Sequence, residues 1–174
     1  MKKIIIVGST SSGKSTFARK LSRKLGYSHI ELDNLFWKPN WTESTDEEFF
    51  DKIISATQED SWVLDGNYRR TNHLTWPKAD TVIWLNLPLW QTLYQNISRS
   101  LKRAILKNEI WEGTGNKESF SRMFSKDSII LWLIKTYKKN ISRYNQMIND
   151  PNYSHISFHQ LRSRKEIEKF LNNL

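Results

Sequence analysis

The chain has 174 residues, 38% of them apolar and 13% aromatic, enough to fill one core and short for two. It contains no cysteine, which excludes disulfides and thiolate metal sites and agrees with a reducing, cytoplasmic location. The net charge of +9 suits polyanionic ligands, and no stretch approaches the roughly 18 apolar residues of a membrane span, so a soluble protein with no membrane partner is expected.

The charge is uneven along the chain. Residues 1–30 carry seven basic and no acidic side chains, residues 31–60 carry two and nine, and residues 61–174 carry eighteen and nine. MKKIIIVG opens like a secretory signal, but its apolar run is too short and flows directly into a glycine-bearing loop. Ile4, Ile5, Ile6 and Val7 predict a buried parallel strand. Residues 8–16, GSTSSGKST, then have the spacing of a phosphate-binding loop: Gly, four residues, Gly, Lys, Ser or Thr. A loop that wraps a phosphate must aim several backbone N–H groups inward, and side chains at Gly8 or Gly13 would obstruct it. Gly8, Ser11, Ser12, Gly13, Lys14, Ser15 and Thr16 are therefore the expected nucleotide contacts, with Lys14 on the β and γ oxygens and Ser15 on Mg²⁺. Phe17, Leu21 and Leu25 recur every four residues and Gly26 follows, so a helix starts here and points its positive end at the same anion.

His29 to Leu32 predicts a second strand ending at Asp33. In parallel α/β sheets ligands sit beyond the carboxyl ends of the strands, so Asp33 either orients Mg²⁺ waters, holds an acceptor hydroxyl, or is a plain turn aspartate. NLFWKPNW at 34–41 brings three large aromatics around a proline. Ser44 and Thr45 each precede a Glu by three residues, a capping-box signature, and Phe49, Phe50, Ile53 and Ile54 supply a helical apolar stripe. Trp37 and Trp41 either line an acceptor pocket or roof this helix. Ser61 to Leu64 predicts the third strand, ended by Asp65, the position from which a carboxylate holds the hydration shell of Mg²⁺. Arg69 follows closely enough to return to the cleft and meet a phosphate bidentately, its alternative being a surface arginine.

Thr81 to Leu87 predicts a fourth strand. Leu89, Leu93, Ile97, Leu101 and Ile105 then mark a long helix by strict four-residue spacing, with Arg99, Arg103 and Lys107 on another face. Residues 111–117, WEGTGNK, look like a mobile loop, and residues 99–143 hold eleven basic and four acidic side chains. A positive helix end beside such a loop is what a lid over phosphates requires. A second long helix is expected from about Ser125 to Asn149 with Ile130, Ile134, Tyr137, Ile141, Tyr144 and Ile148 inward. A fifth strand is expected at Tyr153 to Phe158, and a last helix after the Ser163 and Glu166 capping pair buries Ile167, Phe170 and Leu171. Alternating strands and helices predict a doubly wound α/β sheet in a single domain, 1–174.

Taken together, GSTSSGKST, the LD at 32–33, LDGNYR at 64–69 and the basic helix resemble the adenylate-kinase-like branch of phosphate-loop kinases. LDNLFWKPNW, WVLDGNY, GNKES and LRSRKEIEKFL are similar to bacterial proteins described as adenylate-kinase-related or DNA-topology-modulation proteins. The resemblance implies a P-loop three-layer fold with a five-stranded parallel sheet of order 2-3-1-4-5, an acceptor subdomain at about 34–60 and a lid at about 107–124. It also implies ATP and Mg²⁺ as cofactors, Lys14 and Ser15 on phosphates and metal, and Asp65 on metal waters. Arg69 would meet the transferring or acceptor phosphate, Arg99 the nucleotide, and Arg162, in the loop 159–162, would lie near the adenine. Gln95 stands where such kinases often carry a further arginine, a place Arg103 or Arg122 can fill. The function expected is ATP- and Mg²⁺-dependent phosphoryl transfer to a nucleoside monophosphate or another small hydroxyl or phosphate acceptor, by a monomer or homodimer. The alternatives are a nucleotide-binding regulator with DNA as partner, and an ATPase without an acceptor.

Overall fold

The computed structural model describes residues 1–106, 109–111, 113–117 and 128–174. In chain order the elements are β1 (Lys3–Gly8), α1 (Lys14–Leu25), β2 (Ser28–Glu31), α2 (Leu32–Phe36), β3 (Trp37–Lys38), β4 (Thr42–Glu43), α3 (Asp46–Ala56) and β5 (Trp62–Asp65). They continue with α4 (Asn72–Thr75), β6 (Thr81–Leu85), α5 (Leu89–Leu106), a second long helix that we label α6 (Ile129–Ile148), β7 (Ser157–Leu161) and a last helix, α7 (Arg164–Asn172). β2, β5, β1, β6 and β7 lie side by side in that order in one sheet, and every adjacent pair is parallel. Counting only these strands, the order is the expected 2-3-1-4-5. β3 and β4 form a separate antiparallel ribbon.

Alternation along the strands builds two cores. Ile5 and Val7 of β1 join Leu64, Val82 and Trp84 on one face, under Phe49 and Ile53 of α3 and Tyr144 of α6. Ile4 and Ile6 join Val63, Ile83 and Leu85 on the other, under Phe17, Ala18 and Leu21 of α1, with α7 contributing Ile167, Phe170 and Leu171 at the edge. Successive strand residues point to opposite faces, so a run of β-branched residues fills both layers at once.

Local signals set several ends as expected. The Thr45 hydroxyl accepts from the Glu48 N–H while the Glu48 carboxylate accepts from the Thr45 N–H, a complete capping box on α3. Ser44 serves differently, its hydroxyl donating to the Leu35 carbonyl. Gly26 closes α1 in a left-handed conformation. The second strand stops at Glu31 because Leu32 begins a helical turn. The fifth strand starts four residues later than expected, because Asp150 caps a turn at Pro151–Tyr153 by accepting from the Asn152 N–H.

α5 corrects the sequence reading of its face, whereas α6 keeps most of its expected face, Ile141, Tyr144 and Ile148 packing on the core. α5 buries Thr92, Asn96, Ser100 and Ala104, whereas Ile97, Leu101 and Ile105, expected inside, are 41%, 39% and 67% exposed. For Asn96 the reason is its neighbour, the loop at 8–16: its Nδ2 donates to Ser11 Oγ at 2.9 Å, while the Thr92 hydroxyl donates to the Leu89 carbonyl of its own helix. α6 is described from Ile129, residues 125–127 lying outside the described residues, and it buries Leu133 and Tyr144 while Ile134 is exposed.

Candidate functional site

The loop after β1 is fixed by close approach. Gly8 has φ +152°, and a Cβ there would lie 2.6 Å from the Leu85 carbonyl oxygen and 2.7 Å from Ser12 Oγ, so no side chain fits. Lys14, the first residue of α1, folds back over the loop: its Nζ donates to the carbonyls of Ser9 at 2.9 Å and Gly8 at 3.1 Å. Burial lowers the Lys14 ammonium to about 8, and Arg99 nearby adds to that, while Asp65 and Asp33 pull it back up.

Ser15 Oγ donates to Asp65 Oδ1 at 2.9 Å, so the helix start and the end of β5 meet across the sheet edge as expected. The other Asp65 oxygen is 2.6 Å from His29 Nε2, on β2, and Asp65 is itself buried. Among the described residues no three His, Cys, Asp or Glu side chains form a metal cage. A hydroxyl and one carboxylate side by side suit Mg²⁺, which keeps most of its shell as water and substrate phosphate, so the donor set fits that ion.

Asp33 is half-buried beside this pair, in the first turn of α2, and accepts from Tyr68 Oη at 2.6 Å. Burial raises its carboxyl above the usual range, against the opposing pull of Tyr68 and Lys14. Burial raises Glu31 as well, with Asp65 and Asp33 next in effect. Gly66 lets β5 turn away here: it has φ +149°, and a Cβ would sit 2.6 Å from that of Leu32. Asn67 follows, its amide donating to the Gly8 carbonyl and accepting from Tyr144 Oη at 2.9 Å. Lys14, Ser15, Thr16, Asp33, Trp37, Asp65, Arg69, Arg99 and Arg103 all line one open cavity of about 2220 Å³.

A family model of the AAA domain matches residues 4–146. The chain belongs to the AAA domain family. Among curated proteins, YqaC of Bacillus subtilis strain 168, described as uncharacterized, is 27% identical over 125 residues, 71% of this chain and 68% of YqaC. Among solved structures, shikimate kinase from Bacteroides thetaiotaomicron superposes with a TM-score of 0.54 at 11% identity, covering 98% of this chain and 94% of that one. Shikimate kinase from Acinetobacter baumannii, in complex with shikimate, gives 0.54 at 14% identity, covering 99% and 90%. This AAA domain chain therefore has the fold of the P-loop kinases.

Other expected contacts stand as follows in this AAA domain. Arg69 is exposed at the cavity margin, and its neighbour Arg70 pairs with Asp46 at 2.9 Å over the Phe36 ring. Arg162 follows β7, where Nη2 donates to Gln160 Oε1 at 2.9 Å; it is not among the described residues that line the cavity. Trp37 and Trp41 line the cavity and pack on Trp111, Trp37 stacked at 5.5 Å and Trp41 edge-on at 5.6 Å. Asn116 ties the same two segments, accepting from the Trp41 N–H at 2.8 Å and donating to the Lys38 carbonyl at 2.9 Å. Of the lid expected at 107–124, residues 107, 108, 112 and 118–124 lie outside the described residues, Arg122 and the end of GNKES included.

Sequence reasoning missed His29, Asn67, Tyr68 and Asn96 as parts of this region, and it placed Trp111 and Asn116 in the lid loop without their partners. Two signals were available: Asn67 and Tyr68 stand inside LDGNYR, and Thr92, Asn96 and Ser100 repeat every four residues on α5. His29 carries no local mark, and nothing local pairs Asn116 with Lys38 and Trp41, since these partners are 36 and 75 to 78 residues away.

Proposed function

We propose that the protein is an ATP- and Mg²⁺-dependent phosphotransferase whose acceptor is a hydroxyl compound. The observation that carries this reading is Asp33: its carboxylate lines the same cavity as Lys14 and is oriented by Tyr68. A hydroxyl acceptor must lose its proton as it attacks, and a positioned carboxylate takes it. A nucleoside monophosphate would instead bring its own negative charge among Glu31, Asp33 and Asp65, which argues against the phosphate acceptor of the adenylate-kinase-like reading. Shikimate kinases, by name, are kinases, and their fold is this one.

In the proposed reaction Mg-ATP, when bound, supplies the γ-phosphoryl group and a divalent charge that neutralises it. The loop amides with Lys14 hold the phosphates, Ser15 and Asp65 hold the metal and its waters, and Arg69, Arg99 and Arg103 flank the region where charge spreads over the moving group. His29 orients Asp65. Asp33 accepts the hydroxyl proton, and Trp37 borders the acceptor.

The test is phosphoryl transfer from labelled Mg-ATP to a panel of hydroxyl compounds and nucleoside monophosphates. Lys14→Ala should lower kcat by at least about 10²-fold with the fold intact by circular dichroism. Asp33 acts deprotonated and burial lifts its pKa, so the rate should rise with pH through a limb displaced above the ordinary carboxylate range. Asp33→Asn should remove that limb and cost roughly 10²–10⁴-fold. Full transfer by either variant, or transfer to monophosphates alone, would sink the reading.

A further inference from the structure

The cavity of about 2220 Å³ takes in the Mg-ATP site as well as the acceptor site, and one of its walls is α6, which the phosphate loop and Asp33 do not use. Trp132, Lys135, Thr136, Lys139, Asn140 and Arg143 of that helix all line the cavity. α6 carries no acidic residue in its twenty positions. Lys135, Lys139 and Arg143 repeat every four residues on one face, about 6 Å apart per step along the axis. Among the described residues none of the three has an ion-pair partner. Trp132, 59% exposed, adds an aromatic face one turn before Lys135.

The row has a direction. Arg143 Nη2 donates to Tyr144 Oη at 2.7 Å, Tyr144 Oη donates to Asn67 Oδ1 at 2.9 Å, and the Asn67 amide donates to the Gly8 carbonyl. Arg143 is thus fastened to the transfer centre, and Lys139, Lys135 and Trp132 lead outward from it. Evenly spaced cations with a terminal aromatic, on the wall of a cleft, match a chain of phosphates with an unpaired base at its end. A duplex would offer no free base face to Trp132.

We propose that the acceptor is a single-stranded oligonucleotide, its terminal hydroxyl presented to Asp33 and its phosphates running outward over Arg143, Lys139 and Lys135. This rests on the phosphotransferase reading above and names its substrate class. The terminal hydroxyl oxygen bonds to the γ-phosphorus of ATP, the bond from that phosphorus to the β,γ-bridging oxygen breaks, ADP leaves with the electron pair, and the hydroxyl proton passes to Asp33. The product is the end-phosphorylated strand.

The experiment measures transfer from labelled Mg-ATP by the full chain to DNA and RNA strands of one to eight nucleotides, with either the 5′ or the 3′ hydroxyl blocked, beside a panel of small hydroxyl compounds. The expected result is a KM at least tenfold lower for a tetranucleotide than for a nucleoside. That KM should rise with salt at a log–log slope near about 2, since each of three contacted phosphates contributes roughly 0.7 on single strands. The double variant Lys135→Glu with Lys139→Glu should raise the tetranucleotide KM at least tenfold and cut that slope by more than half, readouts that a merely structural role would not move. Its melting temperature checks that it is folded, and the neutral pair Lys135→Gln with Lys139→Gln, giving the same flattened slope, is the second measure. Equal KM for nucleoside and tetranucleotide, or an unchanged slope in both variants, overturns the inference. Transfer to small hydroxyl compounds alone overturns it while leaving the phosphotransferase reading standing, and transfer to nothing overturns both.

Discussion

α1 and α5 both flank the phosphate-binding loop, and both carry apolar residues at four-residue spacing, yet they bury opposite kinds of face. α1 places Phe17, Ala18 and Leu21 against the sheet. α5 buries Thr92, Asn96 and Ser100, with Asn96 bonded to Ser11 of the loop, and leaves Trp90, Tyr94 and Ile105 about two-thirds exposed or more. The difference lies in what each helix meets. The sheet face is hydrocarbon and rewards apolar area, whereas the loop presents hydroxyls and backbone groups that lose water on packing and need partners. Helical periodicity therefore identifies a helix, and the chemistry of the opposing surface chooses the face.

Three substitutions sharpen or break that contrast. The largest effect belongs to α1: Leu21→Ala, fully inside, should destabilise by about 2–5 kcal/mol in denaturant unfolding. A loss below about 1 kcal/mol would mean that α1 is less tightly packed than its burial implies. Asn96→Leu comes next. It makes α5 more apolar and a better helix, yet by stranding Ser11 it should cost about 1–3 kcal/mol and raise the KM for ATP through a displaced loop. A more stable protein with unchanged KM would show that apolar burial governs α5 after all. Ile105→Lys should change stability by no more than about 0.5 kcal/mol, because its side chain is 67% exposed. A larger loss would mean that something covers the stripe in solution.

Much of the site was legible because its chemistry is local. The glycines, lysine and serine of 8–16 must be adjacent in sequence for one loop to wrap one phosphate, and Asp65 follows a strand whose apolar run marks its end. Asp33 was legible as a position at the sheet rim but not for the role of base proposed here, because that role rests on Tyr68, 35 residues away, and on burial. Trp37 and Trp41 were ambiguous for the same reason. What they pack on is Trp111, which no local pattern connects to them.

The sequence by itself determined the phosphate loop and the alternation of the main strands and helices, while the strand order came from the family resemblance. The loop and the alternation follow from short-range rules: strand and helix period, caps, turn residues, and the spacing that one backbone loop imposes. Only the tertiary structure decided which face of α5 turns inward, that His29 grips Asp65, and that Lys135, Lys139 and Arg143 line the cavity that Asp33 faces. Those outcomes depend on which surface arrives opposite each residue, and that is fixed by packing between segments far apart in the chain.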